Sequence, residues 1–424
     1  MKVIVIGAGL LGVSSAFFLN RAGCEVTVIE RNEACALEAS YANGGLLTPS
    51  MSDPWNAPGI FWNLLRWLGR EDSPFLLRPR ALPTMIGWGL TFLRNSGRER
   101  FVSNTLKNLR LGNYNMGVLR ALRAELKIEY LCDTGGTMKL FRDSASMEEA
   151  ESSATLLSDN GVTVIPLDVD AVVEKEPALA PVADDLAGAH FFPDDETGDA
   201  RQFTEALAAC AREQGVSFRH DAEVTGVEST DNGVSVAIGS ENLHADACVI
   251  AAGSYSLQVA RMAGMNIPLR PVKGYSITLD PGDWQGPRTA IVDDSLHAGV
   301  TPLGSEIRVA GTAEFAGYDL NVTPGRIDNL FRALKRVYPE CPEVSRDRVL
   351  AWAGLRPVCV DGVPLIGATK VPGVFLNTGH GHLGWTLAVG SGKALAHIMT
   401  GQECTLDMAD YAPARFNKKA ASWN

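Results

Sequence analysis

Apolar runs and glycine turns alternate through the first thirty residues of the chain. Residues 3–6 form a short apolar run, residues 13–22 are apolar at helical spacing, and residues 26–29 form a second run that ends at Glu30. This pattern predicts a strand, a helix and a second strand. Between the first strand and the helix stands the sequence Gly7-Ala8-Gly9-Leu10-Leu11-Gly12.

The spacing of these three glycines is typical of a dinucleotide-binding turn. The first permits a tight turn, the second lets the backbone approach a pyrophosphate, and the third lets the helix pack on the strand. The helix N-terminus then offers free N–H groups to the phosphates. Because Glu30 ends the second strand, its carboxylate can accept hydrogen bonds from the two hydroxyls of an adenosine ribose.

The remaining periodicity predicts a mixed α/β chain. Between residues 269 and 312, short β runs alternate with glycine and proline turns, which is typical of antiparallel sheet. An α/β pattern that resumes after this β-rich insert indicates two interwoven domains, each discontinuous in sequence. Helical spacing occurs at residues 103–126, 202–214, 327–337 and 385–399, and strand-like runs occur at residues 137–141, 162–165, 216–218, 234–238, 247–251, 349–352 and 374–376.

Length and composition narrow the class of protein. A chain of 424 residues is long enough for about two domains. The net charge of −11 argues against general nucleic-acid binding, which requires a basic surface. The eight cysteines are scattered without a C-x-x-C pair, which is typical of a reduced, intracellular protein. We recognise no secretory signal, and the apolar stretch at residues 81–93 is shorter than the about 20 residues that span a bilayer.

Residues 54–100 differ in composition from the rest of the chain. They contain four of the eight tryptophans and seven arginines against three acidic residues, a local charge of +4. Such a mixture is found at membrane interfaces, where Trp62, Trp67 and Trp88 would sit at headgroup level and the arginines would face anionic lipid. It is equally typical of a lid over a substrate cavity, with the tryptophans buried. The sequence leaves both interpretations open.

Three further segments place glycine beside residues with binding chemistry. Residues 249–253 form an apolar strand that either passes beneath a dinucleotide or leads into a helix cap. Arg356 stands between Leu355 and Pro357, where a restricted guanidinium either binds a carboxylate or lies in a surface turn. Residues 377–385 interleave glycines with two histidines before a helix. This last segment either stabilises the negative charge of a reduced flavin or forms a flexible loop, and no further ligand at a fitting spacing supports a metal site.

With these residues in hand, the chain resembles the small subunits of D-amino acid dehydrogenases, within the wider D-amino acid oxidase and glycine oxidase family of FAD enzymes. The resemblance runs nearly end to end and is only loose around Asp53-Pro54-Trp55. It rests on the glycine turn with Glu30, residues 40–45, residues 194–199, Lys273-Gly274-Tyr275-Ser276, Gly354-Leu355-Arg356-Pro357 and residues 377–385.

The resemblance implies a role for each matching residue. Arg356 would anchor the substrate carboxylate, and Tyr275 and His380 would be the polar candidates near the reacting atoms. His382 departs from the family pattern, in which a smaller residue such as threonine stands, so the side-chain preference stays open. Some relatives attach FAD through a cysteine, but for Cys359 a free buried thiol is the expected state. The residues that would hold FAD are Gly7, Gly9, Leu10, Leu11, Gly12, Glu30, Arg31, Ser40, Asn43, Gly44, Gly45, Leu46, Val224, Ala252, Gly253, Gly354, Gly379, Gly381, His382, Leu383 and Gly384.

The resemblance also implies a fold and an activity. We expect an α/β protein, α+β overall, with a Rossmann-type FAD-binding domain and a mixed-sheet, β-rich substrate domain. The expected reaction is FAD-dependent oxidative deamination of a D-amino acid to a 2-oxo acid and ammonia, with electrons passed to a quinone-type acceptor rather than oxygen. The expected location is the cytoplasmic side of the inner membrane, as a peripheral protein. The FAD-binding domain would comprise residues 1–55, 194–265 and 348–424, and the substrate domain residues 56–193 and 266–347.

Several other functions remain open on the sequence. The chain could be a dehydrogenase of a cyclic imino acid such as a proline or hydroxyproline isomer, an oxygen-using amino acid oxidase, or a non-catalytic dinucleotide-binding module. An NAD dehydrogenase would explain the first motif but would leave Arg356 and the loop with His380 and His382 without a role.

Overall fold

The computed structural model describes residues 1–67, 69–71 and 73–416, with all their side chains except those of residues 63, 65 and 67. The strands are β1 (Lys2–Ile6), β2 (Glu25–Ile29), β3 (Leu46–Leu47), β4 (Phe75–Leu77), β5 (Cys132–Asp133), β6 (Thr137–Phe141), β7 (Ile165–Leu167), β8 (Gly188–Phe192), β9 (Glu196–Gly198), β10 (Ser217–Arg219), β11 (Val224–Thr230), β12 (Gly233–Ile238), β13 (Glu241–Ala245), β14 (Ala247–Ile250), β15 (Leu269–Leu279), β16 (Ala290–Asp293), β17 (Ala298–Leu303), β18 (Glu306–Phe315), β19 (Leu350–Cys359), β20 (Leu365–Ala368) and β21 (Val374–Thr378). The helices are α1 (Leu10–Arg21), α2 (Ile60–Trp67), α3 (Leu82–Arg94), α4 (Arg98–Leu126), α5 (Ser144–Asp159), α6 (Val169–Lys175), α7 (Ala200–Glu213), α8 (Ser256–Met262), α9 (Pro324–Val337) and α10 (Gly384–Thr400).

The first sheet is built around β1. In the described residues its strand order is β10-β2-β1-β14-β21-β20, and every pairing is parallel except that of β20 with β21. The chain runs from β1 through α1 to β2 on one side, whereas the other neighbour of β1 is β14, more than two hundred residues later. Strand order therefore reverses at β1, and ligands of open α/β sheets bind beyond the carboxyl ends of the strands at such a point.

Two layers cover this sheet. Phe17 of α1, Leu119 of α4, Leu207 of α7 and Leu387 of α10 belong to one buried apolar cluster. A second cluster joins β1 and β14 to α8 and to the antiparallel sheet β11-β12-β13. The helices α1 and α10 approach so closely that a Cβ on Gly392 would lie 2.7 Å from the carbonyl carbon of Ser14. The predicted helix before Gly401 is thus a central packing element rather than a surface helix.

The second sheet is larger and mixed. Its order is β19-β15-β18-β17-β16-β6-β8-β7, with β4 added alongside β18. The long strands β15, β17, β18 and β19 pair antiparallel, as the alternation at residues 269–312 predicts. The amphipathic helix α9 packs its buried Ile327, Leu330 and Leu334 into the apolar cluster of this sheet. A small fourth sheet has the order β3-β9-β5, with both pairings antiparallel.

One strand departs from the predicted division into segments. We placed residues 348–424 in the FAD-binding domain, but β19 pairs with β15 over ten residue positions and so belongs to the large sheet. The apolar pattern at residues 349–352 does not distinguish the two sheets, because pairing with β15 is a contact between residues about eighty positions apart. Consequently, Arg356 belongs to a strand of the large sheet, opposite Val272 of β15.

The segment at residues 54–101 packs against the edge of the large sheet. Its strand β4 pairs with β18, and Arg78 forms an ion pair with the buried Glu314 of β18 (2.8 Å). Trp88 of α3 is only 2% exposed and donates a hydrogen bond from Nε1 to the carbonyl oxygen of Pro268 (3.2 Å). None of the described helices has the length and apolarity that crossing a bilayer requires.

Candidate active site

A single cavity of about 760 Å³ brings together most of the predicted site residues. It begins at the glycine turn after β1, passes the loop at residues 38–46, and ends between the large sheet and residues 53–101. All predicted site residues border it except Gly12 and Gly379. These two glycines lie outside the lining, where neighbouring atoms leave little room for a side chain. A Cβ on Gly12 would lie 1.8 Å from the carbonyl oxygen of Gly7, and a Cβ on Gly379 would lie 3.3 Å from Cβ of Cys359.

The glycine turn fits a pyrophosphate. Gly7 has φ of +107°, a backbone conformation that favours glycine. Gly9, by contrast, has an ordinary extended backbone, and the nearest atom to a Cβ there would be Oγ of Ser40 at 3.6 Å. Apart from the chain neighbours of Gly9, Ser40 is the only described residue within 4 Å of that position, and its Oγ also accepts a hydrogen bond from the N–H of Leu10, the first residue of α1 (3.3 Å). The space beside Gly9 at the N-terminus of this helix suits the anionic part of a dinucleotide.

Glu30 lies at the far side of this turn. Its carboxylate accepts hydrogen bonds from the backbone N–H of Ala8 (2.7 Å) and of Asn32 (2.9 Å), and it is 8% exposed. These two bonds fix the carboxylate at the end of β2, where it borders the cavity. Arg31 borders the cavity next to it, stacked over the ring of Tyr255 at 3.7 Å and paired with Glu38. The predicted placement of Glu30 near an adenosine ribose fits this geometry.

The small-residue loop is held by side chains of the large sheet. Ser276 donates a hydrogen bond to the carbonyl oxygen of Ala42 (2.6 Å), and Thr301 donates one to that of Gly44 (2.8 Å). Asn43 closes its own turn by accepting a bond from the N–H of Gly45 (3.0 Å). The loop is therefore fixed by strands that follow it by more than two hundred residues.

The loop with two histidines closes the opposite side of the cavity. Nε2 of His380 lies 2.9 Å from Oγ of Ser391, whose proton is donated to the carbonyl oxygen of Leu387 (2.7 Å). His380 therefore donates through Nε2, and its buried Nδ1 has no partner among the described residues. Burial lowers the pKa of His380 to about 3, so the ring is neutral. The helix α10 follows with no side-chain cap at its N-terminus.

Arg356 is a partly buried cation that borders the cavity. Its Nη1 donates a hydrogen bond to the carbonyl oxygen of Thr312 (3.1 Å), and its guanidinium carbon lies 5.5 Å from the centre of the Trp55 ring. No acidic side chain of the described residues pairs with it, and burial lowers the pKa of Arg356 to about 10. A carboxylate entering the cavity would supply the missing negative charge.

A glycine makes the position of Arg356 possible. Gly274 of β15 lies next to β19, and a Cβ there would come within 1.7 Å of Nη1 of Arg356. The guanidinium therefore lies flat across the strand at Gly274. The neighbouring Thr312 is in the left-handed region (φ +59°), at an irregularity in the pairing of β15 with β18. This bend turns the Thr312 carbonyl toward the guanidinium.

Tyr275 does not offer its hydroxyl to the cavity in the way we predicted. The hydroxyl lies 2.7 Å from Oε2 of Glu314 and 3.1 Å from Oγ1 of Thr323, inside a buried network that includes Lys273. The ring belongs to the apolar cluster of the large sheet. Because strand residues alternate between faces, the side chain that accompanies Gly274 on the cavity face is that of Ser276 rather than Tyr275. Tyr275 therefore borders the cavity with its hydroxyl already engaged by Glu314 and Thr323.

Sequence reasoning missed several residues of the cavity. Trp55, Phe75 and Phe101 come from the segment whose resemblance was loose, and Gly274 and Thr312 act through their pairing with β19 and β15. Gly274 belongs to the Lys-Gly-Tyr-Ser motif, but the resemblance implied a role near the site for its polar neighbour Tyr275 instead. Cys359 is fully buried outside the cavity lining, and burial raises its thiol pKa, which makes it unreactive.

Comparison with known proteins identifies the family. A family model described as FAD dependent oxidoreductase matches residues 2–398. The chain belongs to this family. FAD is thus its cofactor, and the residues around the glycine turn, Glu30 and the histidine loop are those that would hold it. The expected family, the α/β fold class and the expected cofactor are confirmed.

Individual relatives agree with this assignment. A D-amino acid dehydrogenase of Paramagnetospirillum magneticum is 41% identical over 419 residues, 98% of this chain and 99% of that protein. A D-amino acid dehydrogenase of a Methylobacterium species is 39% identical over 424 residues, 99% of this chain and 100% of that protein.

Solved structures share the fold at lower identity. The glycine oxidase from Geobacillus kaustophilus superposes with a TM-score of 0.77 at 21% identity, covering 98% of this chain and 99% of that one. The L-proline dehydrogenase from P. horikoshii has a TM-score of 0.77 at 19% identity, with 98% of both chains covered. At these identities the structures establish the fold alone.

Proposed function

We propose that this protein oxidises D-amino acids to imino acids, which water then hydrolyses to a 2-oxo acid and ammonia, and passes the electrons to a quinone-type acceptor. One observation carries the amino acid part: Arg356 is a partly buried cation without an acidic partner among the described residues, in the same cavity as the cofactor cradle. The D configuration is supported by the names of the relatives that share about 40% of their residues with this chain.

The residues around Arg356 favour a carboxylate over other anions. The guanidinium is planar and offers paired N–H donors, which match the two oxygens of a carboxylate. Its orientation is fixed by the flat contact with Gly274 and by the bond to the Thr312 carbonyl. A substrate anchored there would lie in a fixed direction relative to the histidine loop. Fixing both reactants in this way is the main contribution that a protein makes to such a reaction.

The protein supplies binding and orientation, while FAD, when bound, accepts the hydride and supplies the redox chemistry. None of the three histidines that border the cavity stores a proton at neutral pH, because desolvation lowers the pKa of His380 to about 3, that of His382 to about 4, and also that of His297. We therefore assign no catalytic base, and the substrate must react with its amino group already neutral. Enclosure by residues 53–101 would keep bulk water from the reacting atoms.

Anaerobic reduction of the bound flavin by single amino acids tests this proposal. D-alanine and D-phenylalanine should bleach the flavin absorbance, whereas their L enantiomers should leave it unchanged over the same time. Reduction by L-proline or a hydroxyproline isomer alone would instead support the cyclic imino acid function. Rapid peroxide formation in air would contradict the use of a quinone-type acceptor.

The proposed acceptor requires access to a membrane, and the outer face of residues 54–100 has the appropriate composition. Leu82, Ile86 and Leu90 lie four residues apart on α3, and Phe61 and Trp62 of α2 are also exposed; Ile86 is 63% and Trp62 is 68% exposed. Exposed arginines, including Arg66 and Arg94, flank these residues. We propose that this face contacts an anionic lipid surface. Trp88 takes no part, since it is buried, and the side chain of Trp67 lies outside the described residues.

A further inference from the structure

A stacked pair of rings lies beside the carboxylate anchor. The rings of Trp55 and His382 are 5.1 Å apart between centres, with planes inclined by only 9°. The guanidinium carbon of Arg356 lies 5.5 Å from the centre of the same Trp55 ring. All three residues border the cavity. The ring pair and the anchor therefore share one end of it.

The surroundings hold this pair in place. The ring of Phe75 meets that of Trp55 in a T-shaped contact, 5.6 Å between centres. The backbone carbonyl groups of Met51 and Asp53 face the ring of His382. Aromatic side chains fixed in this way present a preformed surface, with little conformational entropy left to lose when a ligand binds.

The charge around the ring pair selects against ionic side chains. The side chain of His382 is exposed to the cavity, and desolvation by the surrounding protein together with the nearby Arg356 lowers its pKa to about 4, so the ring is neutral at neutral pH. A cationic side chain on the substrate would lie close to Arg356 and be repelled by it. An anionic side chain would compete with the substrate's own carboxylate for the same guanidinium.

The other residues that line this end of the cavity also favour an uncharged substrate side chain. Ile60 and Phe101 border the cavity together with Phe75, and all three are apolar. Asp53 also borders it, but its carboxylate accepts a hydrogen bond from Thr105 (3.2 Å) and burial raises its pKa. A buried carboxyl with a raised pKa offers less negative charge to a cation.

We propose that Trp55 and His382 determine substrate specificity by forming one wall of the pocket for the substrate side chain, which is uncharged and apolar or aromatic. This inference rests on the proposed function, because it takes Arg356 as the anchor of the substrate carboxylate. The wall formed by Trp55 and His382 then contacts the side chain on the α-carbon of the substrate.

The test measures kcat and KM for reduction of the bound flavin by D-phenylalanine, D-methionine, D-alanine, D-lysine and D-glutamate. The wild-type protein should prefer the apolar substrates to D-lysine and D-glutamate. In His382→Thr, the ratio of kcat/KM for D-phenylalanine to that for D-alanine should fall about tenfold, the size expected for one lost aromatic contact, mainly through KM. His382→Phe, which keeps a ring, should retain the ratio.

Two further variants separate specificity from stability. Trp55→Leu should lower the same ratio, whereas Trp55→Phe should lower it less, and FAD content and Tm establish whether each variant folds. The matched control is His244→Thr, an exposed histidine of β13 outside the cavity, which should leave every substrate unaffected.

The outcomes distinguish this inference from the function on which it rests. If D-alanine reduces the flavin but His382→Thr and Trp55→Leu change all substrates by the same factor, the specificity role is wrong and the function stands. A wild-type preference for D-lysine or D-glutamate would also overturn it, and for D-lysine would point to Asp53. If no D-amino acid reduces the flavin of an FAD-loaded protein, the proposed function fails and this inference fails with it.

Discussion

At the scale of single residues, the decisive feature is a cation without a partner. Arginines that are largely removed from solvent are normally paired with carboxylates, as the partly buried Arg415 is with Asp361 (3.0 Å). Arg356 has a carbonyl and a ring for neighbours but no acid among the described residues. A desolvated charge of this kind is costly to keep in a folded protein, and ligand binding offsets that cost.

We expect Arg356→Ala to raise KM for D-alanine about 100-fold, since removal of one partner of a buried ion pair costs roughly 3 kcal/mol of binding. Arg356→Lys should recover part of the affinity, because an ammonium carries the charge but not the planar pair of donors. The exposed Arg348→Ala serves as the matched control. FAD absorbance should be normal in all three variants, and an unchanged KM in Arg356→Ala would remove this residue from the site.

The three histidines that border the cavity lead to a prediction about pH. An unperturbed histidine titrates near 6.5, but desolvation lowers the pKa of His380 to about 3, that of His382 to about 4, and also that of His297. His380 and His382 stay neutral from pH 5 upward and the pKa of His297 lies below the ordinary value, so none of the three should produce an inflection near pH 6.5. The value of kcat/KM should instead rise with pH until the substrate ammonium has lost its proton. Stopped-flow reduction of the flavin between pH 5 and 10 measures this profile, and an inflection near 6.5 that disappears in His382→Phe would contradict it.

At the scale of elements, the sequence predicted those helices and strands whose formation depends on residues close together in the chain. The strand, turn and helix at residues 2–21 and the helix before Gly401 follow from spacing along the chain. The helix α5 was not predicted, because only Ala154 and Leu157 of its sixteen residues are buried and no apolar stripe marks it. Its N-cap, Asp143 with a bond from the N–H of Ser146, was the available signal.

Contacts between distant strands account for the rest of what was missed. Gly274 accommodates Arg356 across a pairing of β15 with β19, and Trp55 meets His382 although more than three hundred residues separate them. A single sequence does not show which residues of two distant strands lie opposite each other. The sequence therefore suggested Tyr275 as a site residue but not Gly274, which leaves the space for Arg356. The strand β19 was assigned to the wrong sheet for the same reason.

The glycine turn allows two roles of glycine to be separated by experiment. Gly9 has an extended backbone and room for a side chain in the protein itself, so Gly9→Val should fold but lose FAD. A side chain at Gly12 would collide with the carbonyl oxygen of Gly7, so Gly12→Val should destabilise the whole domain. Circular dichroism and the absorbance of released flavin measure the two effects. Full FAD occupancy in Gly9→Val would show that the pyrophosphate does not lie there.

At the scale of the whole molecule, residues 54–101 have two faces with different surroundings. The inner face supplies Trp55, Ile60, Phe75 and Phe101 to the cavity, as the lid interpretation requires. The outer face leaves Ile86 and other apolar side chains in solvent, which a lid alone does not explain. The two interpretations that the sequence left open thus describe opposite sides of one segment, and the membrane contact is a proposal about the outer side only.

Flotation with vesicles that contain phosphatidylglycerol tests that contact. The wild-type holoenzyme should float at low salt and sediment as salt rises, because screening weakens the attraction between arginines and lipid phosphates. Ile86→Ser/Leu90→Ser should abolish flotation, because both side chains are exposed on α3. Its flavin should remain reducible by D-alanine. The control is Ile165→Ser, at an exposed apolar residue of β7, and this variant should float as the wild type does. Neutral phosphatidylcholine vesicles should bind less protein, as the charge term is then absent. If the wild type stays at the bottom of the gradient at every salt concentration, the exposed face of α3 serves some other purpose and electrons must leave the cavity by a soluble carrier.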